Sequence, residues 1–388
     1  MVEEQVFART QELTIRGDGG AAATTSPEYT VEVVRDISRF NSIAPEWNRL
    51  VNESGIDRVF LSHSWFQSWW EAFGERNTLH VITLRSGGHL VAAVPMMRTR
   101  ASIYGFKADA LHAIYNHHTP RYDFIVASGH SRAYEIIWRE LAAQGCDLIV
   151  LAQIPEGART VSTLETIATQ QGWRAGQWIA PVSPFITLTD GYEAFFNGLG
   201  PSSRFNLTKR YARLRRLGPI DVEVVTERGA VDEAMRDGLR IEAAAWKGAK
   251  GTAMQSDPAV AEFYIRFAKL QADLGQLRLT FLKAGGKRIS FNYLLQNRNK
   301  LYAVKIGYDP QYHAFSPGNM LLNLILKDAC ANGIEEYDLL GGDDDWKFEW
   351  TNQKREHRWL FLFRDRTWPR LLHSLKFGIV PGLKRYVR

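Results

Sequence analysis

The chain is poor in the features that mark several protein classes. Its only two cysteines, Cys146 and Cys330, each sit inside an apolar segment. That excludes a disulfide framework and fits buried thiols in a reducing compartment. No apolar run approaches the roughly 20 residues that a membrane-spanning helix needs. The amino end carries Glu3 and Glu4 without an apolar leader, and Gly17–Ser26 is a Gly/Ala/Thr stretch with no core-forming pattern, so residues 1–28 read as a disordered tail. These absences point to a cytoplasmic protein. Gly-x-Ser-x-Gly does not occur, which removes the usual serine-nucleophile elbow. The histidines lack metal-ligand spacing, so no metal is expected.

Acidic residues are scarce at the other end. Residues 353–388 hold ten Lys/Arg against Glu356 and Asp365 alone, a net of +8 on a chain whose total is +6. Trp359, Leu360, Phe361, Trp368, Leu371, Leu372, Leu375 and Phe377 are interleaved with those charges. Two readings follow: an amphipathic segment lying on an anionic membrane, or a strand and helix packed on the core with solvated basic edges. Nucleic acid is not expected, because no nucleic-acid-binding motif accompanies the charge.

What is present is enough for two large cores: 388 residues, 45% apolar and 12% aromatic. The most informative stretch runs from Leu301 to Leu340. Leu301–Ile306 reads as a buried strand, and Gly307–Phe315 is rich in turn residues. Ser316-Pro317-Gly318 opens a helix whose Leu321, Leu322, Ile325, Leu326 and Ala329 fall on one face, and Tyr337–Leu340 reads as a second strand. Ser316 suits the N-cap, Pro317 the first helical position and Gly333 a left-handed end. Strand, helix and strand at this length predict a parallel crossover. Bare N–H groups at the positive end of its helix would suit a pyrophosphate.

The unit occurs twice. Thr83-Leu-Arg-Ser-Gly-Gly-His-Leu-Val-Ala aligns without gaps to Phe281-Leu-Lys-Ala-Gly-Gly-Lys-Arg-Ile-Ser, and each Gly-Gly pair predicts a hairpin turn. The first hairpin, Leu79–Met97, precedes strands near Ala108–Ile114 and Tyr122–Val126, a helix over Ser131–Ala143 and a strand over Asp147–Ala152. Before it, Tyr29–Val34 reads as a strand, with helices near Ile43–Glu53 and Ser64–Phe73. The second helix carries Trp65, Phe66, Trp69 and Trp70, read as core packing over a ligand cage. Between the copies, Val161–Gln171 reads as helical and Pro184–Leu188 as extended. Ser203–Leu217 carries Arg204, Lys209, Arg210, Arg213, Arg215 and Arg216 around a helix, as a solvated surface or as a support for phosphates. Val231–Trp246 and Val260–Leu274 are predicted amphipathic helices.

Pro310-x-Tyr312, Ser316-Pro-Gly318, Asp338-Leu-Leu-Gly341, Trp346-Lys347 and Trp350 together resemble the GNAT superfamily, in particular bacterial acetyltransferases described as involved in cellulose or exopolysaccharide biosynthesis. Ser203–Gly218 and Trp246-Lys247-Gly248 are in the same style. The resemblance, which spans roughly Phe60–Trp350, implies an α/β (α+β) fold of two tandem GNAT-like domains, each a mixed central sheet flanked by helices, as in the Fem-type aminoacyl transferases. The expected boundaries are 29–190 for a non-catalytic domain, 191–352 for an acyl-CoA-binding domain and 353–388 for the basic amphipathic segment. The donor implied is acyl-CoA, with direct transfer in a ternary complex to an acceptor bound between the domains. In GNAT enzymes a loop of the form Gln/Arg-x-x-Gly-x-Gly/Ala wraps the CoA pyrophosphate. Here His313-Ala-Phe-Ser316-Pro317-Gly318 stands in that place, with His and Ser as departures. Cofactor-binding residues are therefore expected to be His313, Ser316, Pro317, Gly318, Asn319 and Lys347, with Arg288 also placed to meet phosphates.

Direct transfer needs a base for the acceptor's proton and a donor for the thioester oxygen as it becomes an oxyanion. The expected base candidates at the carboxyl ends of the crossover strands are Asp343 and Tyr308, with Asp309, His313, Asp344 and Asp345 nearby. Adjacent carboxylates at 343–345 would either raise one another toward neutrality or form an exposed acidic loop. His118, or His117, is the candidate from the first copy. The acceptor is a small molecule, a sugar or polysaccharide precursor on the family description. A lipid amine such as a sphingoid base is the rival, since bacterial ceramide synthases resemble the same family. That rival would place the enzyme at the inner face of the cell membrane. A Fem-like aminoacyl transferase and a catalytically dead binding module complete the set.

Overall fold

The computed structural model describes residues 28–55, 59–244 and 253–381. The amino-terminal tail, Trp246-Lys247-Gly248 and the last seven residues of the basic segment lie outside the described residues. The chain divides into two compact units. One holds the residues up to Gln67, Gly74–Ile179 and those from Arg358 onward; the other holds Ser68–Phe73 and Ala180–His357.

In the first unit the order is β1 (Tyr29–Val34), α1 (Ile37–Ser42), α2 (Ala44–Glu53), the first part of α3 (His63–Phe73), β2 (Thr78–Ser86), β3 (His89–Ile103), β4 (Phe106–Ala113), β5 (Ile125–Val126), α4 (Ala133–Ala143), β6 (Leu148–Pro155) and α5 (Arg159–Gln170). Strand β7 (Arg174–Thr187) follows and continues past Ile179. Strands β1 to β4 pair antiparallel in sequence order, and β4 pairs parallel with β6 across the α4 crossover. Trp65, Phe66 and Trp69 are buried, as core packing requires.

The second unit adds α6 (Gly191–Gly198), α7 (Pro201–Leu214), β8 (Ile220–Val225), α8 (Val231–Ala244), α9 (Pro258–Asp273), β9 (Leu277–Ala284), β10 (Lys287–Asn297), β11 (Lys300–Tyr308), α10 (Pro317–Ala331), β12 (Glu336–Asp338) and α11 (Asp345–Phe348). Strands β8 to β11 pair antiparallel, β11 pairs parallel with β12 across α10, and β12 pairs antiparallel with the end of β7. The apolar stripe of α10 enters a core with Leu207 and Leu214 of α7. The two copies thus repeat one plan: hairpin, third strand, helix, parallel fourth strand. Both Gly-Gly turns take the same left-handed pair of conformations, φ 55° and 79° at Gly87-Gly88 and 56° and 82° at Gly285-Gly286. Positive φ at both central positions is what a type I′ hairpin demands, and glycine adopts it without strain.

Strand β13 (Lys354–Phe363) and helix α12 (Thr367–His373), which runs on through a π-helical turn at Ser374–Ile379, close the chain. Of the two readings of this segment, the structure bears out the strand and helix packed on a core. Phe361, Phe363 and Leu372 bury with Ile103, Ala110 and Leu148, so the residues from Arg358 onward join the first unit's core.

One buried acid there sets a pH dependence. Burial pushes the Asp123 carboxyl up to about 7, while hydrogen bonds from Thr160 Oγ1 and the Phe124 N–H oppose the shift. The folded state therefore holds this proton when the unfolded chain, at an ordinary carboxylate pKa of about 4, has lost it. Its stabilisation is full below that value and is lost as pH rises through 7. Asp123→Asn should gain stability relative to the parent between pH 5 and 8, by about 3 kcal/mol at 1.36 kcal/mol per pH unit. Paired thermal melts across that range read it; a pH-independent difference would place the proton elsewhere.

Candidate active site

The crossover of the second unit opens where the chemistry was expected. Although β11 has nine residues, its pairing with β12 covers only Lys300↔Glu336, Leu301↔Tyr337 and Tyr302↔Asp338. Beyond Tyr302 the pairing stops, because β12 ends at Asp338. The antiparallel register with β10 slips at the same point: Leu294 faces Ala303 and Tyr293 faces Lys305, leaving Val304 as an extra residue. A bulge of this kind re-aims the strand and frees backbone groups from the ladder. In the first unit, β4 meets β3 without such a shift and ends at Ala113.

Beyond β11 the chain is shaped by local capping. The Asp309 carboxylate accepts from the Gln311 N–H at 3.0 Å and lies 3.4 Å from Lys287 Nζ, fixing a 3₁₀ turn over Pro310–Phe315. Ser316 follows in the left-handed region, φ 47° and ψ 59°, and Pro317 begins α10. Ser316 holds the N-cap position as predicted, but its side chain does not cap. Its hydroxyl instead accepts from Arg210 Nη1 at 2.5 Å, so the first N–H groups of α10 have no side-chain cap. A non-glycine residue held left-handed is strain, and strain of this kind gathers at ligand clamps.

The basic helix α7 supplies the facing wall. Arg210 reaches Ser316, and the Arg213 guanidinium lies 5.5 Å from the centre of the Phe315 ring. Between α7 and the start of α10 is a cleft of about 270 Å³, lined by Ser203, Asn206 and Arg210 on one side, Ser316, Asn319 and Met320 on the other, and Glu349 and Trp350 at the end. The Tyr308 ring borders Gly318: a Cβ added there would meet Tyr308 Cδ1 at 3.6 Å. Tyr308 Oη is 3.1 Å from His313 Nδ1, with donor and acceptor set by the tautomer.

The structure thus brings together Tyr308, His313, Ser316, Pro317, Gly318 and Asn319. It adds Arg210, which the sequence singled out only as one of six helix cations, and Ser203, Asn206, Glu349 and the Val304 bulge, which it did not single out. The Lys347 side chain is taken up by its own turn. Its buried ammonium donates to the Leu340 and Gly342 carbonyls at 2.7 and 2.8 Å and pairs with Asp344 at 3.1 Å, bracing the turn after β12. Leu340 and Gly341 in that turn are both left-handed. Arg288 is held by Glu223 and Asp237, whose hydrogen bonds raise its pKa above its ordinary value. Asp343, Asp344 and Asp345 are exposed. Asp338, fully buried, accepts from the Leu340 N–H at 2.9 Å and from Arg355 Nη1 at 2.7 Å. His118 belongs to the other unit, is 9% exposed, and has its ring centre 3.9 Å from that of His117. Among the described residues, no cluster of His, Cys, Asp and Glu could hold a metal ion.

Residues 201–348 match the family model of the acetyltransferase (GNAT) domain. None of the curated proteins matches the sequence. Among solved structures, one described as FemX aligns with a TM-score of 0.57 at 10% identity, over 86% of this chain and 98% of that one. The C-terminal domain (DUF2156) of a putative lysylphosphatidylglycerol synthetase from Agrobacterium fabrum gives 0.53 at 14% identity, over 88% and 98%. A conserved protein of unknown function from Bacteroides thetaiotaomicron VPI-5482 gives 0.53 at 12% identity, over 86% and 100%. At these identities the likeness is one of fold.

Proposed function

We propose that the chain, whose residues 201–348 match the acetyltransferase (GNAT) domain model, is an acyltransferase that takes an acyl-CoA donor in the cleft at the start of α10. The observation that carries the reading is the union of Arg210, a left-handed Ser316 and an uncapped helix N-terminus around one cleft of pyrophosphate-binding size. Arg210 and the N–H groups of Gly318 and Asn319 would hold the phosphates, with Ser203 and Asn206 as further polar partners. An acyl-CoA supplies an activated thioester carbonyl. The backbone N–H of Val304, the extra residue at the bulge, is the donor assigned to the oxygen of that carbonyl.

For the base, the reading favours Tyr308 with His313 over Asp343. The Tyr308 hydroxyl borders the cofactor loop and already contacts an imidazole. It would take the acceptor's proton while passing its own to Nδ1 of His313. The first unit, without the bulge, serves as a non-catalytic support. The acceptor is a small molecule with an amine or hydroxyl. A sugar or polysaccharide precursor follows the family description. A lipid amine is the second reading, favoured by the exposed apolar residues of the carboxyl-terminal helix, Trp368, Leu371 and Ile379.

The test is a thermal-shift series with CoA, acetyl-CoA and palmitoyl-CoA at matched concentrations. A ligand that binds only the folded state at a hundred times its Kd adds about 2.7 kcal/mol. Stabilisation by all three is expected of a small-acyl enzyme, and selective stabilisation by palmitoyl-CoA would move the reading to lipid acylation. No shift with any of them would leave an aminoacyl-tRNA donor or a dead scaffold. Tyr308→Phe should keep the shift while turnover falls about a hundredfold, the usual worth of a positioned acid–base group. If Asp343→Asn has that effect and Tyr308→Phe does not, the base assignment reverses.

A further inference from the structure

The inner side of the carboxyl-terminal helix is firmly held. Leu372 is fully buried. The Lys376 ammonium, with no carboxylate partner among the described residues, lies 3.3 Å from the centre of the Trp178 ring and 4.2 Å from that of Phe361. Burial lowers its pKa to about 8. A Cβ at Gly176 would fall 2.3 Å from the Phe377 ring, so that ring is seated directly on the β7 backbone.

The outer side is apolar as well. Trp368, Leu371 and Ile379 are 39%, 47% and 48% exposed, and Leu375 between them is half-buried. Their spacing of three, four and four residues keeps them on one side through the π-helical turn. The stripe extends onto the β3–β4 turn, where the Phe106 ring meets Trp368 edge-on at 5.8 Å and the Trp368 indole donates to the Lys107 carbonyl at 3.1 Å. Phe106 and Tyr104 of that turn are 46% and 49% exposed. A helix with two apolar sides, only one of them covered by the described residues of its unit, marks an interaction surface.

Charge identifies what covers the outer side. Residues 366–388 contain no Asp or Glu and six Lys/Arg. Arg366, Arg370 and Lys107 are exposed beside the stripe. An exposed indole and a phenol amid aliphatic residues, flanked by Arg366, Lys107 and an Arg370 that is paired with Asp365 at 2.5 Å, match the boundary between phosphate headgroups and acyl chains. A polyanion without an apolar layer would leave Leu371 and Ile379 in water.

We propose that this face, formed by helix 367–379 and the β3–β4 turn, docks the protein on an anionic phospholipid bilayer. The inference is independent of the acyl donor and holds whichever acceptor the site takes.

Flotation of the full chain with phosphatidylcholine vesicles, with and without phosphatidylglycerol, tests it. Binding is expected only with phosphatidylglycerol and should weaken as salt rises. Leu371→Ser combined with Ile379→Ser should lower the partition coefficient about tenfold or more, because both side chains leave water on docking. Lys107→Glu with Arg366→Glu should do the same by charge, and these exposed substitutions should leave the melting temperature in place. Equal partition onto pure phosphatidylcholine, or variants that bind as well as the parent, would overturn the proposal. So would a concentration-dependent dimer in sedimentation that the Leu371/Ile379 variant abolishes, since the face would then belong to a second copy of the chain. Because the readout is vesicle binding, failure here leaves the CoA thermal shift, and the acyl-CoA reading, untouched.

Discussion

Gly318→Asp should lower affinity for CoA at least a hundredfold, about 3 kcal/mol in a titration calorimeter. The substitution fits sterically. Gly318 is helical with ordinary φ, and a Cβ there makes only van der Waals contact with Tyr308 at 3.6 Å. What it adds is a carboxylate in the first turn of α10. There it would stabilise the helix dipole of the free protein while repelling a pyrophosphate from the N–H groups meant to receive it. Gly318→Ala separates the two effects, since it supplies the Cβ without the charge and should bind CoA within about threefold of the parent. Arg210→Gln is the companion variant, because it removes the cation facing the same cleft and frees the Ser316 hydroxyl. Unchanged affinity in Gly318→Asp would sink the placement of the donor at this loop, whatever the chain transfers.

Much of this was legible in the sequence because it is local. Two Gly-Gly pairs flanked by strand patterns specify one turn type, and both turns adopt it to within a few degrees. The stripe of Leu321, Leu322, Ile325, Leu326 and Ala329, between Pro317 and Gly333, fixed α10 and therefore the parallel crossover. What sequence did not carry was set by partners distant in the chain. Ser316 is an N-cap by residue type, yet Arg210, 106 residues earlier, takes its hydroxyl. Lys347 was expected to meet phosphates, but two carbonyls of its own turn occupy it. The Val304 bulge has no residue signature, since Leu301–Ile306 reads as an uninterrupted strand and the slip exists only relative to Tyr293 and Leu294. That the carboxyl-terminal strand and helix pack on a core was one of the two readings the sequence offered, but that the first unit receives them was not legible, because nothing in Phe361 and Phe363 names Ile103 as their partner.

Gly307→Val should destabilise the second unit by about 3 kcal/mol or more. Gly307 lies in β11 where α8 crosses it, and a Cβ there would sit 2.7 Å from the Glu242 Cα and 3.1 Å from its backbone nitrogen. The obstruction is helix backbone and not the tip of a flexible chain, so relief requires α8 to move as a body. Glu242 is itself fully buried and accepts from the Met254 N–H at 2.8 Å, which ties α8 to the segment leading into α9. At roughly 2–4 °C per kcal/mol for a unit of this size, the melting temperature should fall by about 6–12 °C. Gly198→Ala is the control: nothing lies within 4 Å of its added Cβ, it ends helix α6, and it should change stability by no more than about 0.5 kcal/mol. The Gly307 variant also displaces the strand that carries the adjacent Tyr308. If it folds at low temperature, its CoA-induced stabilisation should shrink along with its melting temperature. A variant that melts early yet keeps the full CoA shift would mean that α8 yields while β11 stays in place, and the cleft would then depend on α7 and α10 alone.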